Sequence, residues 1–309
     1  MSKVFLNPDE ELKKKIETHP CYCADAKHKY ARIHLPVAPA CNIQCNYCNR
    51  KYDCSNESRP GVTSGVITPE EALHRYMSTK KLLPNLSVAG IAGPGDALAN
   101  PEKTFKTFEM IKGFDPETHL CLSTNGLNLP DYIDEIRELG INHVTVTMNA
   151  VDAKTASLMY AWVRTPEGRL TGEEGAAYLL ERQKEGIAKL AEAGILVKIN
   201  TVLTPGKNME QIPMVSREIR RMGVFIHNVI PLLSKPEYGT AFAKEGVREP
   251  SELEVAEVRR LCASEMGGFN KVMHHCKQCR ADAAGILGKD LKGSCKEKKM
   301  KTASEEVSV

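Results

Sequence analysis

From residue 32 onward, short runs of β-branched and aliphatic residues alternate with longer stretches that carry apolar residues at helical spacing. The short runs predict six strands, over 33–37, 86–91, 119–123, 143–148, 196–203 and 224–231. Between the first two strands, Thr68-Pro69-Glu70-Glu71 predicts a helix start, with Thr68 as N-cap, Pro69 at the first position and Glu71 closing a capping box. Asn100-Pro101 predicts another start, for a helix over 101–114. Further helices are predicted over 130–140, 173–194 and 209–223, each stopping at a glycine.

Strand followed by helix, repeated, predicts a parallel sheet with right-handed crossovers. Six units fall short of the eight in a closed (β/α)8 barrel, so the expected architecture is α/β, a partial (β/α)6 barrel. Chemistry in such folds sits at the C-terminal ends of the strands. Two arms flank this core, giving expected boundaries of 1–31 for an N-terminal arm, 32–249 for the barrel and 250–288 for a C-terminal arm. The second arm opens with a helix capped by Ser251 and Glu254. Residues 289–309, rich in Lys, Glu and Ser, are expected to be a disordered tail.

Composition narrows the function. The net charge of +3 comes from 42 basic and 39 acidic residues, a balance that gives no case for nucleic-acid binding. No apolar run reaches the length of a membrane span, and the N-terminus lacks a signal peptide's apolar core, so the expectation is a soluble cytoplasmic protein. Eleven cysteines, an odd number with no export signal, argue against a disulfide framework. They cluster in the sequence, and clustering points to metal ligation.

The first strand runs into Cys41-Asn-Ile-Gln-Cys45-Asn-Tyr-Cys48, spaced C-x3-C-x2-C. Three thiolates in one tight loop can hold three irons of a 4Fe–4S cube and leave the fourth open to a substrate. A zinc knuckle is the plainer alternative, but zinc closes its sites with four ligands and nothing nearby completes the set.

This loop after the first strand of a βα barrel resembles the signature of the radical SAM family, whose open iron chelates S-adenosylmethionine (SAM). The resemblance implies Cys41, Cys45 and Cys48 as the catalytic cluster's ligands, and SAM contacts from several segments. These are Tyr47, the turn with Gly93, Gly95 and Asp96, and Asn125 after the third strand. Thr145, Thr147 and Asn149 share one face of the fourth strand by period two, and the family layout adds Ile199 and Ile230 beside the adenine.

The resemblance narrows further. The runs His-Pro-Cys-Tyr from 19, Ala31 through Lys51, Asn-Glu-Ser-Arg-Pro-Gly-Val from 56, Ala-Gly-Pro-Gly-Asp from 92 and His-Cys-Lys-Gln-Cys-Arg-Ala-Asp-Ala from 275 are similar to the NifB family, spanning residues 19–288. These are radical SAM maturases that build the carbide-centred core of the nitrogenase cofactor. The resemblance implies three 4Fe–4S clusters, one catalytic and two that are substrates. It assigns one substrate cluster to Cys21, Cys54 and Cys121, and the other to Cys262, Cys276 and Cys279. Cys23 and Cys295 are left over. His19 could replace or supplement Cys21, and Arg50, Lys51, Glu57 and Arg59 are expected to border the cluster chamber. The implied chemistry methylates a cluster sulfide, abstracts hydrogen from that methyl and fuses the clusters to an 8Fe–9S–C product. The implied partners are a cluster donor, an electron donor such as a ferredoxin and a carrier of the NifX or NifEN type, because the chain stops without a NifX-like domain. The rivals are a radical SAM maturase whose two auxiliary clusters only relay electrons, and a non-catalytic iron–sulfur scaffold.

Overall fold

The computed structural model describes residues 10–49 and 59–291. Cys54, Arg50, Lys51, Glu57 and Cys295 lie outside the described residues, as does 292–309 of the expected tail.

The described strands in chain order are β1 (Ala31–His34), β2 (Ile43–Cys45), β3 (Leu86–Ile91), β4 (His119–Thr124), β5 (His143–Thr147), β6 (Tyr160–Thr165), β7 (Gly168–Leu170), β8 (Leu196–Leu203), β9 (Ile226–Pro231), β10 (Ala284–Ile286) and β11 (Lys289–Asp290). The helices are α1 (Glu10–Glu17), α2 (Pro69–Leu82), α3 (Pro101–Phe114), α4 (Ile133–Glu138), α5 (Ala153–Met159), α6 (Gly172–Glu192), α7 (Ile212–Arg221), α8 (Ala241–Lys244) and α9 (Glu252–Met266).

The main sheet runs β11-β10-β1-β3-β4-β5-β8-β9, and the six strands from β1 to β9 in it pair in parallel. That is the partial (β/α)6 barrel the alternation predicts. Alternation along β4 makes the layering visible: Leu120, Leu122 and Thr124 are buried, while His119, Cys121 and Ser123 are only partly covered. Leu120 and Leu122 join the apolar core, and the other set faces the barrel interior.

The capping box at Thr68 forms as expected, with the Thr68 hydroxyl accepting from Glu71 N and the Glu71 carboxylate from Thr68 N. Ser251 and Glu254 form a second one. Asn100 does not cap α3; its amide is turned onto the Ala40 and Asp96 carbonyls instead.

Two features were not predicted. A separate sheet, β2-β6-β7, joins the cysteine loop to a hairpin after β5, with Cys45 opposite Tyr160. The hairpin β10–β11 also adds antiparallel to the free edge of β1, closing one side of the open barrel. Lys289 and Asp290, placed in the tail by the sequence, belong to that hairpin.

Candidate active site

The cysteine loop is fixed from its first residue. Gly95 N donates to Ala38 O at 2.7 Å and Asp96 N to Ala40 O at 2.8 Å, so the turn after β3 clamps the chain that enters Cys41. A Cβ on Gly95 would lie 2.6 Å from the Ala40 carbonyl carbon and 2.7 Å from Pro39 O. Only glycine permits this approach. Beyond Cys41, Gln44 Nε2 donates to the carbonyls of both Cys45 and Cys48 at 2.9 Å, folding the loop on itself.

Polar groups from the strand ends hold the loop on the barrel mouth. Asn125 Nδ2 donates to Asn42 Oδ1 at 2.7 Å and lies 3.8 Å from Cys41 Sγ. Asn149 Nδ2 donates to the hydroxyls of Tyr47 and Tyr160, at 2.9 and 3.0 Å, while its Oδ1 accepts from Val202 N. Asp96 Oδ1 accepts from Leu98 N and Thr124 Oγ1, and its Oδ2 from Asn125 N. Burial raises its pKa, and those donors oppose the shift. Asp96 thus ties the turn after β3 to the loop after β4. Burial and the neighbouring Cys45 together raise the Tyr47 phenol well above its usual range.

Cys41, Cys45 and Cys48 line one cavity of about 1140 Å³, part of it open to solvent. Of the other expected residues, Tyr47, Arg59, Gly95, Asp96, Asn125, Thr147 and Ile230 line it too. Gly93 does not; the turn points it at Ala281 of the C-terminal arm. Asn149 is fully buried and acts through Tyr47 and Tyr160. Thr145 lies deeper, in register with Ser123 and Lys198.

Ile199 needs correction. It pairs with Val146 and His227 on the outward face of β8, fully buried in the core that includes Ile187 of α6 and Val215 of α7. Period two puts Lys198, Asn200 and Val202 inward, and Asn200 and Val202 line the cavity. Ser123, which the alternation of the third strand turns into the barrel, lines it as well, whereas sequence reasoning missed Tyr160 and Gln278 there.

Below this cavity the barrel interior holds a second set of thiols. Cys21 and Cys276 pack on an apolar floor of Tyr22, Leu196, Ile226 and Met273. Cys121 pairs in register with Gly90 and His143. Arg32, 1% exposed, donates to Cys279 Sγ at 3.1 Å and ion-pairs with Asp290 at 2.6 Å. Burial pushes the Cys121 thiol up to about 12 and the Cys279 thiol to about 11. His34, unremarked in the sequence, faces the same interior, its ring edge over Gly90. The Arg280 carbonyl, 2.9 Å away, can only accept, so Nδ1 of His34 carries the proton and Nε2 keeps its lone pair. Burial, then Arg32, lower its pKa to about 4.

His19 lies beside Cys21, its Nε2 buried without a hydrogen-bond partner among the described residues. Its Nδ1 accepts from Cys21 N, and its ring packs against Tyr22 and His143 at the barrel floor. Cys262 is a second correction. Val255, Val258, Cys262 and Met266 form the buried stripe of α9. Cys262 is fully buried, with Ser216 of α7 as its side-chain neighbour. Helical period therefore turns it into the interface of α9 with α7 and away from Cys276 and Cys279. Among the described residues, no three Cys, His, Asp or Glu side chains converge on a single metal-ion position. The three loop thiols, with the Asn125 amide beside Cys41, fit the open cube that the spacing implies.

The fold and this loop define a class: the chain belongs to the radical SAM superfamily, which it matches over residues 35–219. Within that class the likeness to NifB holds. The chain is 50% identical over 280 residues to the FeMo cofactor biosynthesis protein NifB of Herbaspirillum seropedicae, covering 91% of this chain and 53% of that protein. It is 51% identical over 276 residues to the NifB of Klebsiella pneumoniae, covering 89% and 58%. The chain thus spans little more than half the length of the curated relatives it matches. Among solved structures, methylornithine synthase (PylB) superposes with a TM-score of 0.53 at 16% identity, covering 98% of this chain and 89% of that one, a likeness of fold. Among the described residues, no helix is long and apolar enough to cross a membrane.

Proposed function

We propose that the chain is a NifB-type maturase, which joins two 4Fe–4S substrate clusters around a carbon taken from SAM. One observation carries this reading. The radical-loop thiols line the barrel mouth, and a separate set, Cys21, Cys121, Cys276 and Cys279, faces the interior directly beneath it. A carrier of SAM chemistry alone has no use for the second set.

When bound at Cys41, Cys45 and Cys48, the resident cluster supplies one electron and an open iron for SAM. Asn125 and the Gln44 amide keep the loop in place, and Thr147, Asn200 and Ile230 offer walls for the rest of the molecule. One SAM passes its methyl to a sulfide of a substrate cluster and leaves as S-adenosylhomocysteine. A second SAM accepts the electron and breaks at its S–C5′ bond, giving methionine and a 5′-deoxyadenosyl radical. That radical takes one hydrogen atom from the methyl, leaving as 5′-deoxyadenosine. The two remaining hydrogens leave as protons while the substrate irons supply the electrons that make the carbon a carbide. A ninth sulfide from solution joins the eight of the two cubes in the 8Fe–9S–C product. Substrate clusters that must merge and depart need incomplete protein ligation, which suits the interior thiols' loose grouping. The reading calls for a cluster donor, a low-potential electron donor such as a ferredoxin, and a NifX- or NifEN-type carrier for the product.

The test is anaerobic turnover with acid quench. Loaded protein given SAM and dithionite should release methanethiol on acid treatment and form 5′-deoxyadenosine. Cys276→Ala with Cys279→Ala should remove the methanethiol while leaving some deoxyadenosine from uncoupled cleavage. Deoxyadenosine without methanethiol in the wild type would refute the maturase reading.

A further inference from the structure

Lys198 is a charged residue in a place where burying a charge is costly. It stands on the inward face of β8, one inward position below Asn200, and is only 8% exposed. Among the described residues, no carboxylate lies within ion-pair distance of it. Its ammonium sits 5.4 Å from the Tyr22 ring centroid, which is weak compensation for a buried charge. Around it stand thiols and the rings of Tyr22, His19, His34 and His143. Tyr22 follows Cys21 in the chain, and its ring packs with Leu196 and Ile226. Ile226 is the register partner of Lys198, and Cys276 packs on that same floor. Across β5, Lys198 shares the inward face with Cys121.

We propose that Lys198 is a positioning residue whose ammonium holds an anionic, thiolate-ligated iron–sulfur substrate between Cys21, Cys121, Cys276 and Cys279. This rests on the function proposed above. A buried cation with no anionic partner becomes sensible once a net-negative group occupies the space in front of it. Strand register and the shared apolar floor place Cys121, Cys21 and Cys276 around one chamber with that ammonium. In that chamber the cation holds the substrate without forming a bond that fusion would have to break.

The experiment compares wild type with Lys198→Met, which keeps the volume and drops the charge, and Lys198→Arg, which keeps the charge. Anaerobically loaded proteins are challenged with a ferrous chelator, and iron release is followed alongside an electron paramagnetic resonance redox titration. Wild type should hold about twelve irons, by the count of four per cube. In Lys198→Met the irons beyond the radical-loop four should leave on the order of a hundredfold faster, as expected for one charge lost at contact distance in a partly shielded interior. Their signals should titrate at a lower potential, because the more negative reduced state loses its counter-charge. Lys198→Arg should recover both properties, which a packing defect would not do. Thermal melts of the unloaded proteins should show Lys198→Met at least as stable as wild type, since an uncompensated buried charge is removed. Twelve irons in wild type with unchanged release and potential in Lys198→Met would overturn this inference alone. About four irons in wild type would overturn it together with the proposed function.

Discussion

Replacing Gly95 with alanine tests how the cysteine loop is held. The added Cβ would lie 2.6 Å from the Ala40 carbonyl carbon and 2.7 Å from Pro39 O, where real Cβ atoms stay 3.0 Å or more away. Both neighbours are backbone, so no side chain can swing aside. The chain entering Cys41 must retreat, stretching the Gly95 N to Ala38 O and Asp96 N to Ala40 O hydrogen bonds. Overpacking of this kind costs about 1–3 kcal/mol, and each weakened hydrogen bond adds up to about 1 kcal/mol. For a chain of this size that lowers the melting temperature by roughly 2–8 °C. Gly65→Ala is the internal control, because nothing lies within 4 Å of a Cβ there and its backbone is not left-handed; it should be neutral or slightly stabilising. After anaerobic reconstitution, Gly95→Ala should lose the radical-loop cluster signal preferentially, since Cys41 follows directly on the displaced Ala40. The assay is a paired thermal melt and electron paramagnetic resonance spectrum for the two variants. A Gly95→Ala protein that melts with wild type and loads that cluster fully would refute the clamp.

Three further outcomes follow from the same geometry. Cys262→Ala should cost about 1–2 kcal/mol by opening a small cavity between α9 and α7, yet leave iron content unchanged; a loss of about four irons per chain would restore Cys262 as a ligand. Asn149→Ala should free the hydroxyls of Tyr47 and Tyr160 and leave Val202 N unpaired, for a stability loss of about 1–3 kcal/mol read by chemical denaturation; no measurable loss would contradict its bracing role. His227, bonded to Ser216 and Thr201, has its pKa lowered by burial to about 3. Because the folded pKa lies below the unfolded value of about 6.5, its contribution is present above that value and is lost as pH falls toward 3. His227→Gln should flatten the pH dependence of unfolding free energy there by up to about 1.4 kcal/mol per pH unit, and an unchanged slope would contradict the buried neutral imidazole.

Much of the frame was legible because most barrel strands carry buried aliphatic residues and α2 and α9 start at capping boxes. The β2-β6-β7 sheet was not legible, since its short strands are held by pairing Cys45 with Tyr160 across the chain rather than by any local pattern. The radical loop could be read from spacing alone. Ile199 was misplaced because nearness to the strand end was allowed to outweigh the two-residue period that turns Lys198 and Asn200 inward. Cys262 was misplaced in the same way: the stripe of Val255, Val258 and Met266 was in the sequence, and the family's layout was preferred to it. Arg32 and His34 carried no local signal. Charged residues usually lie outside, and only the closure of the sheet shows that these two face inward.

The central claim is that carbon from SAM enters a cluster built from two. Loaded protein is turned over with SAM carrying an isotopic label in its methyl group, and the product cluster is extracted anaerobically into an organic solvent and separated from small molecules. The account predicts one labelled carbon for about eight irons in the extracted cluster, formed together with 5′-deoxyadenosine. It also predicts no label when Cys41, Cys45 and Cys48 are replaced by alanine. Label confined to volatile methyl products, with an extracted cluster that carries none, would contradict it.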